Sequence, residues 1–323
     1  MTTSPDPAPV LDLIDAFRRS KAMFAAVKLG LFDLMPSSVD DLAVRTETNA
    51  EALERLLDAC VGLGFLRKEG GHYANQPVAD AYLRRDSPQT LTGYILYSND
   101  VLFRMWANLE DGVREGTHRW QQTFRFEGPI FAHFFQTEEA RRVFLSGMHG
   151  FGLLSSPAVV AAFDLSRFRR LVDLGGATGH LAMAAHERYP DLSVSVFELP
   201  GVVPYARVDA AAGDFFTDPL PPADLYAVGR ILHDWTEEKI RILLARVNEA
   251  LPEGGGLLIA ERLLEEDHSG PVPALMQSLN MLVCTEGRER SLGEYEALLR
   301  GVGFREVHGR RTGAPLDAVL AIK

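Results

Sequence analysis

The chain of 323 residues is short of cysteine, of positive charge and of long apolar runs, and each shortage closes a class of function. Its two cysteines, Cys60 and Cys284, stand far apart with no CxxC between them. That pattern excludes a disulfide scaffold or a cysteine zinc centre and points to a reducing compartment, the cytoplasm. Lys and Arg number 33 against 44 Asp and Glu, for a formal net charge of −11. Such a surface repels phosphate backbones and anionic bilayers, so neither nucleic acid nor membrane is an expected partner. The opening MTTSPDPAP has neither the basic nor the apolar region of a secretory signal. The longest uncharged stretch, Gly147 to Phe163, carries His149, Ser155, Ser156 and Pro157 and is short for a membrane span.

The length suggests about two domains at roughly 150 residues each, and the texture changes near the middle. Residues 1–10, rich in Pro and Ser, are expected to be a flexible tail. Over 11–88 the apolar spacing predicts short helices, with Asn49 as a cap and Leu53, Leu56, Leu57, Cys60 and Val61 on one inner face. Two short extended pieces around Gly70-Gly71 then predict a hairpin. Helix, helix, hairpin is a winged-helix-like outline. The second helix, however, sets Glu51, Glu54 and Asp58 against Arg55 alone, the wrong sign for a DNA groove. A packing or dimerisation module is the better reading.

Residues 89–168 form a helical linker and pocket region, with helix expected throughout 89–163. It holds Trp120, Phe124, Phe126, Phe131, Phe134 and Phe135 in sixteen residues. Such a run fills a core or walls a pocket for a flat apolar ligand, with Phe131 and Met148 as candidate lining. From 169 to 323 strands and helices alternate, which predicts an α/β fold with a doubly wound, mostly parallel Rossmann-like sheet.

The first strand of that region runs Leu171-Val-Asp173-Leu-Gly175-Gly176-Ala177-Thr178-Gly179-His180. The nicotinamide fingerprint G-x-G-x-x-G fails here, and no GK[ST] follows for a phosphate loop. An acid at the strand end opposes a pyrophosphate but suits a cation, and S-adenosylmethionine carries a sulfonium and an ammonium. Glu198, ending the next strand, is placed to accept from ribose hydroxyls. Asp214 and Phe215 put an acid and a ring where an adenine would lie. Asp173, Gly175, Gly176, Glu198, Asp214 and Phe215 are therefore candidate cofactor residues, with S-adenosylhomocysteine as the spent form.

Further on, Arg230-Ile-Leu-His233-Asp234-Trp235 is expected to close a strand spanning Ala223 to Leu232, at the sheet edge where ligands sit. His233 is a natural base near neutrality. Glu261, ending the following strand, and Glu289, just before a helix, can each fix its tautomer. No second His stands near it in 278–290, so no metal is expected.

These runs, with Ser278-Leu-Asn280-Met-Leu-Val-Cys284-Thr-Glu-Gly-Arg-Glu289-Arg290, resemble the S-adenosylmethionine-dependent O-methyltransferases of small phenolic compounds, the acetylserotonin (hydroxyindole) O-methyltransferases among them. Leu31-Phe-Asp-Leu34, Val113-Arg-Glu-Gly116, Phe163-Asp-Leu-Ser166, Gly213-Asp-Phe-Phe216 and Asp218-Pro-Leu-Pro221 extend the similarity over both halves. The resemblance implies a homodimer built through the N-terminal domain and transfer of a methyl group to the hydroxyl of a small aromatic acceptor. It implies His233 as base between Glu261 and Glu289, Arg230 near the cofactor, and Asp234, Asn280 and position 284 near the acceptor. The chain departs from that pattern at Ala177 (a family glycine), Glu198 (a ribose Asp), Cys284 (a Gln) and Gly152 (an aromatic). The alternatives are carbon methylation of an α-keto acid and a catalytically inactive S-adenosylmethionine-binding protein.

Overall fold

The computed structural model describes residues 5–128, 130–135 and 137–323, so residues 1–4 of the expected tail lie outside the described residues. The chain divides into two compact units, Met1–Val101 and Leu102–Lys323. Residues 89–101, expected in the linker region, pack with the N-terminal unit.

In the first unit α1 (Ala8–Lys28) already begins at Ala8, with Pro9 in its first turn, where a missing N–H costs nothing. The proline read as a sign of a tail is here a helix starter. Ser38 caps α2 (Val39–Thr46) and Asn49 caps α3 (Ala50–Gly62), the latter accepting from the Ala52 N–H at 2.9 Å. Leu53, Leu57 and Cys60 of α3 are buried with Leu31, Phe32, Leu66 and Tyr73. Strands β2 (Leu66–Glu69) and β3 (His72–Asn75) pair antiparallel around Gly70-Gly71, both at positive φ as a tight hairpin turn demands. A short β1 (Ser37–Ser38) pairs with β3. Two of the acidic residues of α3 serve this hairpin: Glu54 accepts from Lys68 at 3.1 Å, and Asp58 accepts from Lys68 at 2.8 Å and from the Tyr73 hydroxyl at 2.6 Å. Helices α4 (Pro77–Tyr82) and α5 (Thr92–Tyr97) follow.

The second unit opens with α6 (Phe103–Trp106), α7 (Leu109–Glu115), α8 (Trp120–Phe124), α9 (Ile130–Phe134) and α10 (Glu138–Ala161). Helix does not run throughout, because Gly116, Arg125 and Gly128 adopt positive φ and turn the chain out of helical register. By length and composition α10 could cross a membrane, but half of its apolar window is buried within the protein. It packs on α11 (His180–Arg188) as a core helix.

The seven-stranded sheet has the order β11 (Glu306–Arg310), β12 (Asp317–Ile322), β8 (Gly256–Glu261), β7 (Leu225–Gly229), β4 (Arg170–Leu174), β5 (Ser193–Glu198), β6 (Ala210–Ala212). The last five in that list are parallel, and β12 lies antiparallel between β8 and β11. The order reverses between β4 and β7, and the crevice at such a switch point is where open α/β sheets bind ligands. Helix α12 (Glu237–Ala250) packs its buried Ile240, Leu243, Leu244 and Val247 into one core layer. Beyond β8, the short β9 (Leu263–Leu264) pairs with β10 (Arg290–Ser291), while α13 (Val272–Cys284) and α14 (Leu292–Gly301) complete the unit.

Strand β7 ends at Gly229, three residues short of expectation. Arg230 takes φ +58, bending the chain off the sheet into a single 3-10 turn, Leu232–Asp234. His233 therefore rides on a turn and not on a strand.

Candidate active site

The carboxyl ends of the parallel strands β4, β5, β7 and β8 lie side by side along the edge of the sheet where open α/β folds bind ligands. On the β4 side Gly175 has φ +68, and a Cβ there would lie 2.6 Å from Ile231 Cδ1 and 3.2 Å from the Phe215 ring. A Cβ on Gly176 would lie 2.4 Å from the Asp173 carboxylate. Only glycine lets this loop pass flush over Asp173 and Phe215. Both oxygens of Glu198 accept from backbone, one from Ala177 N–H at 3.1 Å and one from Leu199 N–H at 2.7 Å. The carboxylate thus ties the end of β5 to the glycine loop and is pushed above its usual range by burial. Asp214 accepts from the Phe216 N–H at 2.8 Å, which folds its own turn.

Asp173 is almost fully buried, and its Oδ2 has no hydrogen-bond partner. Burial, reinforced by the negative Glu198, pushes its pKa up to about 8. A buried carboxyl with one unpaired oxygen beside a glycine loop suits a ligand that brings positive charge, and this fits S-adenosylmethionine where it would not fit a pyrophosphate.

On the β7 side the His233 ring is buried between acids. Nδ1 lies 2.6 Å from Glu289 Oε1 and 3.1 Å from Glu261 Oε2, while Nε2 faces Asp234 Oδ1 at 3.7 Å. Burial pushes Glu261 up to about 7, Glu289 to about 8 and Asp234 to about 7. Arg230, Arg262 and Arg290 pull Glu289 the other way. Acids on Nδ1 hold its hydrogen there and leave Nε2 with the lone pair.

Around this centre the remaining predicted residues fall into two groups. Asn280 and Cys284 sit one helical turn apart on α13, the Asn280 amide reaching Cys284 Sγ at 3.5 Å, and burial beside Asp234 raises the thiol's pKa well above its usual value. Phe131 lies tilted against Trp235 at 5.3 Å, and Trp235 meets Phe216 at 5.1 Å and through it Phe215 at 4.8 Å. This row of rings runs from Phe131 to Phe215, beside the glycine loop. Met148 Sδ receives the Arg230 guanidinium at 3.2 Å, and that guanidinium lies over the Phe151 ring.

Gly152 does not face the crevice. A Cβ there would lie 2.3 Å from the His180 ring, so the space belongs to the first residue of α11. Trp106 and Gly287, which sequence reasoning passed over, and Trp120, read there only as one of an aromatic run, also shape the site. Trp106 Nε1 donates to Asn280 Oδ1 at 2.8 Å and so fixes which way the amide points. Trp120 Nε1 donates to the Cys284 carbonyl at 2.9 Å. Gly287 presses so closely on the His233 turn that a Cβ would lie 2.3 Å from the His233 carbonyl oxygen. Its glycine was visible in Thr285-Glu-Gly-Arg-Glu289, but its reason is a contact 54 residues away in the chain, where no local pattern reaches.

Residues 106–305 match the O-methyltransferase domain, and residues 11–85 the O-methyltransferase dimerisation domain. The chain belongs to the O-methyltransferase family. This methyltransferase is 42% identical over 337 residues to the acetylserotonin O-methyltransferase of Gallus gallus, covering 98% of this chain and 97% of that one. It is 42% identical over 339 residues to a probable bifunctional dTTP/UTP pyrophosphatase/methyltransferase protein of Homo sapiens; there it spans its own full length but 55% of the relative. Among solved structures, human N-acetylserotonin methyltransferase in complex with SAM matches with TM-score 0.95 at 38% identity, over 100% of this chain and 99% of that one. PigF with SAH matches with TM-score 0.89 at 28% identity, over 99% and 100%. The methyltransferase depends on S-adenosylmethionine, in keeping with the carboxylate and glycine cradle at β4.

Proposed function

We propose that this O-methyltransferase acts on the hydroxyl of a small aromatic acceptor, an N-acetylserotonin-like hydroxyindole or another phenol, with His233 as general base. The observation that carries the reading is the imidazole whose Nδ1 is held by Glu289 at 2.6 Å, while Nε2 lies on the other side of the ring, 3.7 Å from Asp234 Oδ1. Asp173, Gly175, Gly176, Glu198, Asp214, Phe215 and Arg230 would hold S-adenosylmethionine, which supplies an electrophilic methyl group. Asp234, Asn280, Cys284, Phe131 and Met148 would surround the acceptor.

A phenol titrates near 10 and a histidine near 6.5, so complete prior deprotonation would cost about 5 kcal/mol. Nε2 avoids that cost by taking the proton as the oxygen forms its new bond, an effect on the order of 10²–10⁴-fold. The half-buried aromatic row beside Trp235 would exclude water once an acceptor is seated on it, and a dry wall favours a step in which charge disperses.

The domain reading that accompanies this function places dimerisation in 11–88, the pocket wall within 89–168 and the cofactor fold in 169–323, with two copies of the chain per enzyme. Both cysteines are free and buried, which suits a reducing cytoplasm.

The test is mass spectrometry of the purified chain with S-adenosylmethionine and N-acetylserotonin. The expected product is heavier by one methyl group and falls about a hundredfold or more in His233→Ala, whose S-adenosylmethionine affinity stays unchanged. Near-normal turnover in that variant would remove His233 as the base. No product from the native chain, with the cofactor still bound, would discard the hydroxyindole and send the search to other phenols.

A further inference from the structure

The two glutamates beside His233 are not equivalent in what they touch. Glu289 Oε1 meets the ring at 2.6 Å in a hydrogen bond with Nδ1. Glu261 stands further from the ring, at 3.1 Å through Oε2. Its other oxygen, Oε1, accepts from two successive backbone amides, Ile231 N–H at 3.0 Å and Leu232 N–H at 2.9 Å. Those amides open the single turn that carries His233, and Glu261 is itself anchored at the end of β8, where every residue is buried.

The turn needs such a tether. Arg230, immediately before it, is a non-glycine residue held at φ +58, a conformation that persists only where the surroundings enforce it. The opposite face is enclosed by the 285–290 segment. Gly287 packs against the His233 and Trp235 backbone, Glu286 N–H donates to the Asp234 carbonyl at 3.1 Å, and the buried Arg290 reaches the Leu232 carbonyl at 3.5 Å.

We infer that the pair divides its labour: Glu289 is the partner of the imidazole, and Glu261 is a positioning residue that acts through the backbone of the His233 turn. The inference rests on His233 being the base. Its consequence is that position 261 requires an acceptor oxygen for two amides and does not require a negative charge. Position 289 requires a carboxyl group, because an amide there can offer its NH₂ to Nδ1 and stabilise the tautomer that blocks Nε2. A glutamine at 261 offers the ring a donor as well, but its oxygen stays with the two amides, and its 3.1 Å contact is longer than the 2.6 Å hydrogen bond with Glu289, which prevails.

The experiment compares Glu261→Gln, Glu261→Ala and Glu289→Gln in the full chain by two readouts. The first is kcat with S-adenosylmethionine and N-acetylserotonin, or whichever phenol the native enzyme methylates. The second, independent of any acceptor, is the His233 tautomer from long-range ¹H–¹⁵N spectra of histidine-labelled protein, assigned by the signal lost in His233→Ala. Glu261→Gln is expected to lose about tenfold or less and to keep the Nδ1–H tautomer. Glu289→Gln is expected to lose on the order of 10³–10⁴-fold and to lose that tautomer. Glu261→Ala should lose about a hundredfold or more in kcat, with S-adenosylmethionine affinity retained as evidence that it folds. If the alanine variant does not fold, the two glutamine variants still decide the question. Equal losses in both glutamine variants, a switched tautomer in Glu261→Gln, or a fully active Glu261→Ala would each overturn the inference. Undiminished turnover in His233→Ala would instead remove the base assignment on which it stands, and the tautomer readout separates the two failures.

Discussion

Asp173 shows how one residue can carry both a cost to the fold and a signal to the ligand. Its pKa, pushed from 3.8 to about 8, means that the unfolded chain releases this proton long before the folded one does. The folded state binds more protons across that interval, so this group's contribution to the stability of the ligand-free protein falls as pH rises from about 4 to about 8. A cationic ligand reverses the preference by favouring the ionised carboxylate. S-adenosylmethionine is therefore expected to expel a proton on binding at pH 7 and to bind more tightly towards pH 8. Calorimetry in buffers of different ionisation enthalpy measures that proton; Asp173→Asn should abolish it and weaken binding. A pH-independent affinity and no proton release in the native enzyme would contradict the assignment. At this scale the sequence was eloquent: an acid at a strand end before glycines is legible without coordinates. That both Asp173 and Glu198 would be buried, and that Glu198 would spend its oxygens on the Ala177 and Leu199 amides, was not, because burial is a property of what packs on top.

At the scale of elements, the close packing of α10 on α11 governs how the glycine loop is held. His149 meets Thr178 Oγ1 at 2.8 Å, and Ser156 meets His180 Nδ1 at 2.9 Å, so α10 grips the loop and the first turn of the helix that follows it. Burial keeps both imidazoles neutral, with His149 lowered to about 4 and His180 to about 3. Gly152 makes room for the His180 ring between them. Gly152→Ala is expected to destabilise the chain by about 1–3 kcal/mol, read as a lower urea midpoint at unchanged slope. An unchanged midpoint would mean that the helices part at no cost. The sequence marked Gly152 as a departure from a family aromatic and so suggested the acceptor pocket. The structure assigns it to helix packing, a distinction that requires knowing which side of α10 faces α11. Helix periodicity across 89–163 was legible in the same partial way. It found the helical character but not the breaks at Arg125 and Gly128, where backbone handedness, not hydrophobic spacing, decides.

At the scale of the whole molecule, the first half of α1 presents an apolar stripe that nothing among the described residues covers. Val10, Leu13, Ile14 and Phe17 follow one another at helical spacing, with exposures of 63%, 74%, 55% and 54%. A contiguous exposed face of this kind marks an interaction surface, and it overlaps the match to the dimerisation domain over residues 11–85. Leu13→Asp combined with Phe17→Asp is expected to convert a dimer into a monomer in sedimentation velocity at micromolar concentration. A native chain that sediments as a monomer, or a variant that remains a dimer, would contradict this.

The sequence by itself determined the alternation that makes the sheet, the glycine loop, the cap at Asn49, and the identities of His233, Glu261 and Glu289. Each of these is set by a few adjacent residues or by a periodicity, and local chemistry is written locally. The tertiary structure decided the strand order with β12 antiparallel between β8 and β11, the end of β7 at Gly229, and the turn that aims His233. It also decided which glutamate serves the ring and which serves the backbone. The turn and the division between the glutamates rest on contacts between residues 29 to 56 positions apart, whose energies appear only when the chain has folded far enough to bring them together.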